Sequence, residues 1–99
     1  MAIVILQTLP NVGRERFDQL IAELQKQGPL PADGNLFHAS GAVGPDWRVV
    51  DVWASRKHFD DFQEARQRAA MKAAGDMRTL VDEFPIDFMF AADGWPGAH

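Results

Sequence analysis

A continuous apolar run near the N-terminus restricts most strongly how this chain can fold. Residues 2–6 are all apolar and rich in β-branched side chains, so a strand formed here has both faces covered. The chain has only 99 residues, enough for one domain with a modest core. A strand over residues 2–9 therefore needs one packing layer from its own chain and favours a second layer from another copy.

A helix is predicted after this strand. Asn11 is a suitable N-cap residue, and the helix is expected to end before Gly28, which Pro29 follows. The apolar residues between them follow the i, i+3, i+4, i+7 spacing of one helix face: Phe17, Leu20, Ile21 and Leu24.

A hairpin and a second helix are predicted next. Residues 36–43 and 48–53 have strand composition, and the connection 44–47 contains a proline and an aspartate, which favour a turn. Ser55 is a predicted N-cap for a helix that runs to about Gly75. Its buried face is expected to contain these residues: Phe59, Phe62, Ala65, Ala69 and Ala73.

In the last part of the sequence, a short helical turn is predicted within residues 76–83 and a last strand over 86–90, after Pro85. The element order β-α-β-β-α-β indicates an α+β, ferredoxin-like fold in which both helices cover one face of a four-stranded antiparallel sheet. The bare sheet face predicts a homodimer through sheet faces, a dimeric α+β barrel. Residues 1–92 are the predicted domain and 93–99 a flexible tail, from which Trp95 could contact a neighbour.

Charge and composition exclude several classes of function. The net charge is −4 and the basic residues are scattered, so nucleic acid is not an expected partner. The chain has no cysteine, its three histidines lack metal-ligand spacing, and no phosphate-binding glycine pattern is present. We therefore expect no metal and no cofactor. The N-terminal apolar run is too short for a signal peptide or membrane span, and we expect a cytoplasmic protein.

One polar constellation is predicted on the hairpin. If the residues flanking the 44–47 connection pair, Ser40 lies opposite Asp51 and His38 opposite Trp53, all on one side of the sheet. His38 could then act as a general base oriented by Asp51, with Trp53 as an apolar wall for a substrate. In the alternative interpretation, Ser40 and Asp51 satisfy each other, His38 bonds a carbonyl group, and Trp53 belongs to the core.

Other polar and aromatic residues have weaker assignments. Arg66 lies near the apolar face of the second helix and could clamp an anion or extend to solvent. Gln7 and Asp87 are polar residues in apolar strands, and each could line a pocket. Trp47 at the hairpin tip predicts an interface, and His58 in the first turn of the helix is expected on the surface.

The segment 48–62 resembles the antibiotic biosynthesis monooxygenase-like superfamily of dimeric α+β barrels. The resemblance rests on a strand ending in Val-Trp at Trp53, a cap at Ser55, and a helix carrying Phe59 and Phe62. It implies a ligand cleft between sheet and helices, near His38, Asp51 and Trp53. Members include cofactor-independent oxygenases that act on anthrone-type or quinol substrates, haem-degrading enzymes, and proteins without a known role.

The resemblance does not favour haem degradation. That branch uses an asparagine in strand one and a tryptophan and a histidine in helix two, where this chain has Gln7, Phe62, and Met71 or Lys72. Gln7 and Phe62 remain candidate contacts for another substrate. Similar chains often carry a histidine and an asparagine in the last strand, whereas this one has Asp87 followed by phenylalanine.

Two hypotheses follow. The first is a cofactor-independent monooxygenase, or an isomerase, for a small aromatic polyketide-type substrate, with His38, Asp51, Trp53, Ser40 and Arg66 in its site. The second is a non-catalytic dimeric module that binds a small apolar molecule or serves as an interaction unit. A cavity of about 300 Å³ or more beside His38 favours the first hypothesis.

Overall fold

The computed structural model describes residues 1–90 and 92, and it confirms the α+β, ferredoxin-like fold. Its elements are β1 (Ile3–Leu9), α1 (Arg14–Lys26), β2 (Asn35–Val43), β3 (Asp46–Trp53), α2 (Arg56–Phe62), a π-helical turn (Gln63–Gln67), α3 (Arg68–Ala73) and β4 (Leu80–Pro85). The antiparallel sheet has the order β2-β3-β1-β4. The predicted tail 93–99, with Trp95, lies outside the described residues.

Strand β1 occupies an inner position, paired with β3 on one side and β4 on the other. Ile3, Ile5 and Leu9 are buried on the face that carries the helices, whereas Val4 and Leu6 are half-buried on the opposite face. An apolar run suits an inner strand, and the helices of this chain cover one of its two faces.

The hairpin between β2 and β3 is tighter than predicted. Its connection is the two-residue turn Gly44-Pro45 instead of residues 44–47, and Val43 pairs with Asp46. Gly44 has φ +57°, which suits the first position of a two-residue hairpin turn. The register is therefore shifted by two residues, which changes the partners but keeps each side chain on its predicted face.

Trp47 is a core residue, and its predicted interface role at a hairpin tip is wrong. The shorter turn places it inside β3, where it is buried and stacks on Phe17 with ring centroids 4.7 Å apart. An indole of this size contributes more when it is packed against another ring in the core than at an exposed tip.

One of the two predicted helix caps is confirmed and the other is wrong. Ser55 is an N-cap as predicted, because its Oγ accepts a hydrogen bond from His58 N at 3.2 Å. The His58 ring also bonds Ser55 Oγ at 2.7 Å, so this histidine is half-buried and not a free surface residue. Asn11 is not the cap of α1; Gly13 takes that position, and Asn11 N donates instead to Asp46 Oδ1 at 3.0 Å.

A π-helical turn changes which residues of the second helical segment face the sheet. The turn Gln63–Gln67 contains one more residue than a regular α-helical turn, so every later position is rotated. Ala70 and Ala74 are buried, each one residue later than a predicted buried position. The predicted alanines are exposed: Ala65, Ala69 and Ala73.

The last strand is β4 (Leu80–Pro85), so the helical turn predicted within 76–83 and the strand predicted over 86–90 are both wrong. Within residues 1–90 and 92, β4 is an edge strand that pairs only with β1, and such a strand tolerates Asp82 and Glu83. Because of these charged residues, the sequence pattern did not indicate a strand at residues 80–85.

In the part of the chain that the structure describes, no element covers the sheet face opposite the helices. Four large apolar side chains on this face are exposed, two of them by half or more: Val43, Val50, Leu80 (64%) and Phe84 (50%). Among residues 1–90 and 92, no helix has the length and apolar character that crossing a membrane requires.

Candidate functional site

A cavity of about 320 Å³ lies between the helix-bearing face of the sheet, the helices and the loop that follows α1. Its lining is mostly apolar and comes from every layer around it: Leu9, Phe17, Leu20, Ile21, Leu24, Leu30, Pro31, Ala32, Val49, Trp53, Phe62 and Met71. Its size reaches the range of small-molecule sites, and a few polar side chains interrupt the apolar lining.

The polar pair predicted on the hairpin forms at this cavity, although with a different register. His38 pairs with Asp51 across β2 and β3, and the two side chains are joined at 2.8 Å between Nδ1 and Oδ1. The Asp51 side chain is 7% exposed and that of His38 40%, so the carboxylate lies inside and the imidazole at the rim. Both residues line the cavity, and the His38 ring stacks on Phe17 at 6.4 Å.

Asn35 completes this pair and was not predicted. Its Nδ2 donates to Asp51 Oδ1 at 3.3 Å and to Phe37 O at 3.2 Å. An ionised carboxylate only accepts hydrogen bonds, so Asp51 favours the His38 tautomer with the proton on Nδ1. The other ring nitrogen, Nε2, then carries a free lone pair. Asn35 lies at an irregularity of the strand, where the register shifts between Asn35 and Phe37.

Trp53, predicted as an apolar wall, lies beside Phe62, a predicted substrate contact, in the cavity lining. Their ring centroids are 5.2 Å apart, and Trp53 also contacts Phe59 at 5.8 Å. Trp53 and Phe62 line the cavity and present apolar surface to any occupant. Flat aromatic side chains of this kind stack favourably on aromatic ligands.

Gln7 and Gln67 form a second polar group in the cavity lining. Gln67 Nε2 donates to Gln7 Oε1 at 2.8 Å, and Thr79 Oγ1 donates to the same oxygen at 2.9 Å. Gln7 was a predicted pocket residue, whereas Gln67 was missed. The helical periodicity placed Gln67 outside the buried stripe, and only the π-helical turn rotates it inward.

Arg66 does not line the cavity, so its predicted contact with a substrate is not supported. Its guanidinium donates to the carbonyl oxygens of Leu24 and Gly28, both at 2.8 Å, and of Pro29 at 3.1 Å. These carbonyls belong to the last turn of α1 and to the residues just after it, where a helix leaves acceptors without partners. Arg66 is therefore a structural clamp between the two helical segments.

Ser40 and Asp87 also lie away from the cavity. Ser40 is opposite Val49 instead of Asp51, is exposed, and borders a separate open groove with Trp47. Asp87 follows β4 and is exposed. The two-residue shift of the hairpin explains the first difference, and the earlier last strand explains the second.

Charged side chains outside the cavity form ion pairs on the protein surface. Hydrogen bonds from Arg56 to Asp60 and Glu83 raise the Arg56 pKa, and the bond from Lys57 to Asp61 raises the Lys57 pKa. Among residues 1–90 and 92, no three histidine, cysteine, aspartate or glutamate side chains are grouped as metal ligands.

Comparison with known proteins adds evidence on the fold. No protein-family model and no curated protein matches the chain. A dimeric ferredoxin-like protein of unknown function from Thermobifida fusca is 22% identical, with 87% of this chain and 92% of that chain covered and a TM-score of 0.61. A candidate antibiotic biosynthesis monooxygenase from Deinococcus radiodurans is 12% identical, with coverages of 93% and 99% and a TM-score of 0.66.

SnoaB, a cofactor-independent oxygenase from Streptomyces nogalater, is 13% identical, with coverages of 89% and 95% and a TM-score of 0.61. The chain shares its ferredoxin-like α+β fold with these solved proteins. The resemblance seen in residues 48–62 is therefore confirmed at the level of the fold. Function has to be argued from the site itself, because one fold serves many activities.

Proposed function

We propose that this protein is a cofactor-independent monooxygenase for a small aromatic polyketide-type substrate of the anthrone or quinol class. The observation that carries the proposal is the His38–Asp51 pair, joined at 2.8 Å, at the rim of an apolar cavity of about 320 Å³. The likeness of the fold to SnoaB, a cofactor-independent oxygenase, supports the reaction class.

The proposed chemistry begins with a proton transfer. His38 Nε2 removes a proton from the ring CH₂ or hydroxyl group of the substrate, and the Asp51 carboxylate stabilises the resulting imidazolium. The substrate anion is delocalised over its rings and transfers electrons to O₂, the oxidant. For an anthrone, one oxygen atom forms the new C=O bond at the former CH₂ carbon, and the other leaves as water with the two hydrogens.

The rest of the cavity supports this sequence of steps. Trp53 and Phe62 offer aromatic surface for the rings of a substrate, and the apolar lining keeps bulk water from the anion. His38 is 40% exposed at the rim, so a proton taken from the substrate has a route to solvent.

We propose further that the protein acts as a homodimer through its uncovered sheet face. Val50 and Phe84 are exposed there, and an apolar face of this kind on a monomer favours a partner. The neighbour from Thermobifida fusca is described as dimeric, which supports the same assembly here.

Oxygen uptake with anthrone tests the proposed activity. We expect turnover by the wild-type protein, and a loss of about 100-fold or more in His38→Gln, the usual contribution of a general base. The matched control is His58→Gln, because His58 lies outside the cavity lining and glutamine can still bond Ser55. Turnover in the control should match wild type.

Two results would contradict the monooxygenase assignment. Equal turnover in His38→Gln and wild type would remove His38 from the reaction. Tight binding of anthrone without oxygen uptake would favour the second hypothesis, a dimeric module that binds an aromatic molecule without converting it.

A further inference from the structure

The amide pair Gln7 and Gln67 has hydrogen-bonding capacity that the fold does not use. Gln7 Oε1 already accepts two hydrogen bonds, from Gln67 Nε2 at 2.8 Å and from Thr79 Oγ1 at 2.9 Å. Among the described residues, no hydrogen bond engages Gln7 Nε2 or Gln67 Oε1. The side chains are nonetheless buried, with 7% and 6% of their residue surface exposed.

The free amide atoms border open space. In the described part of the chain, the fully enclosed polar side-chain atoms without a partner are Trp47 Nε1, Trp53 Nε1 and Arg66 Nε, and the two glutamines are not among them. Both glutamines line the cavity of the proposed active site. Gln67 also borders a more open groove of about 280 Å³ beside Thr79.

The amide pair lies away from the proposed base. His38 is on β2 and Gln7 on β1, with β3 between them. Adjacent strands are about 4.8 Å apart, so the two positions are separated by about 10 Å across the sheet. A ligand in this cavity can thus contact the two polar groups with opposite ends of its ring system.

The unused donors and acceptor of Gln7 and Gln67 indicate which kind of ligand group can bind beside them. Gln7 Nε2 has two unused N–H donors and Gln67 Nε2 has one, whereas the unused acceptor is Gln67 Oε1. A donor-rich subsite favours a ligand group that accepts hydrogen bonds. An anion is not favoured, because no lysine or arginine among the described residues lines the cavity and Asp51 is itself negatively charged.

We propose that Gln7 and Gln67 form a subsite for an uncharged carbonyl oxygen, located at the end of an aromatic ligand remote from His38. This inference rests on the proposed function, and it narrows the substrate class to ring ketones of the anthrone kind, in which the carbonyl lies across the ring from the acidic CH₂. Gln67 is then a specificity-determining residue that the π-helical turn brings into the cavity.

Binding of a matched ligand pair tests the subsite without any turnover. The probes are 1-tetralone and tetralin, which differ by one carbonyl group, and dissociation constants are measured by calorimetry for the wild type, Gln7→Met and Gln67→Met. We expect the preference for the ketone over the hydrocarbon to fall about tenfold in each variant, the value of one hydrogen bond. Tetralin should bind each variant as it binds wild type, within about threefold, which also shows that the cavity is intact.

Thr79→Val is the matched control. Thr79 contacts only Gln7 Oε1 within this group, so its loss should leave the ketone preference within about threefold of wild type. An unchanged preference in both glutamine variants would overturn the subsite and leave the proposed oxygenase activity intact. Failure of wild type to bind either probe would instead count against the cavity as a ligand site, and so against both proposals.

Discussion

At the scale of single residues, the site depends on one buried carboxylate with two partners. Asp51 Oδ1 accepts from Asn35 Nδ2 at 3.3 Å and contacts His38 Nδ1 at 2.8 Å. A carboxylate held from two sides is fixed in position, and it orients the imidazole on which the proposed proton transfer depends. In the proposed mechanism Asp51 is thus a positioning residue, while His38 contacts the substrate.

Asp51→Asn should separate these roles. The amide keeps the size of the side chain but lacks the negative charge that stabilises a His38 imidazolium in the transition state. We expect kcat for anthrone to fall about 100-fold, while KM changes less than about threefold. The measurement is steady-state oxygen uptake, with thermal unfolding to check the fold.

A purely structural role of Asp51 predicts another pattern. In that case the variant would lose thermal stability and KM would rise, with kcat of the folded fraction unchanged. That pattern would contradict the positioning role.

At the scale of elements, the π-helical turn (Gln63–Gln67) decides which side chains meet the sheet. It points Gln67 into the cavity and allows Arg66 to bond the carbonyls at the end of α1. In a regular α-helix, residue 66 would occupy the inward position that Gln67 holds here. Single-residue deletions distinguish these arrangements, because they remove the extra residue from different sides of Gln67.

Deletion of Ala65 should be tolerated, whereas deletion of Ala69 should not. The first deletion converts the turn to a regular helix with Gln67 and Ala70 still inward, so we expect the free energy of unfolding to change by about 1 kcal/mol or less. The second moves Arg66 to the inward position, where a charge without a carboxylate partner costs about 3–5 kcal/mol. Urea denaturation measures both values, and equal losses in the two variants would contradict this account.

At the scale of the whole molecule, the described residues cover the sheet on one face only. Val50 lies in the middle of the uncovered face, on the inner strand β3, and Phe84 lies on β4 beside β1. Stable interfaces remove about 1,600 Å² of surface from water, and face-to-face packing of two sheets would contribute the whole of this face to the interface. The homodimer proposed above would complete the second layer that the apolar strand β1 requires.

Val50→Arg should therefore yield monomers. A guanidinium in the centre of an apolar interface loses its hydration without gaining a partner, so we expect dissociation to a single copy at micromolar concentration. Light scattering after size-exclusion chromatography measures the mass. Ala69→Arg adds the same charge on the exposed side of α3 and should remain dimeric. A wild-type protein that is monomeric at all concentrations would contradict the proposed assembly.

The sequence alone determined the class of fold and most of its elements. The apolar run of β1, the stripe of α1 and the cap at Ser55 depend on neighbours within a few residues, so local patterns report them. Side-chain parity along β2 and β3 placed His38, Asp51 and Trp53 on one face despite the wrong register, because a shift of two residues preserves the face.

Only the tertiary structure decided the remaining features of the site. The pairing of His38 with Asp51 depends on the length of the hairpin turn, and the inward position of Gln67 on an extra residue in a helical turn. The engagement of Arg66 depends on carbonyls about 40 positions earlier in the chain. Each of these contacts joins segments distant in sequence, and the energy that selects it comes from packing, which local periodicity does not contain.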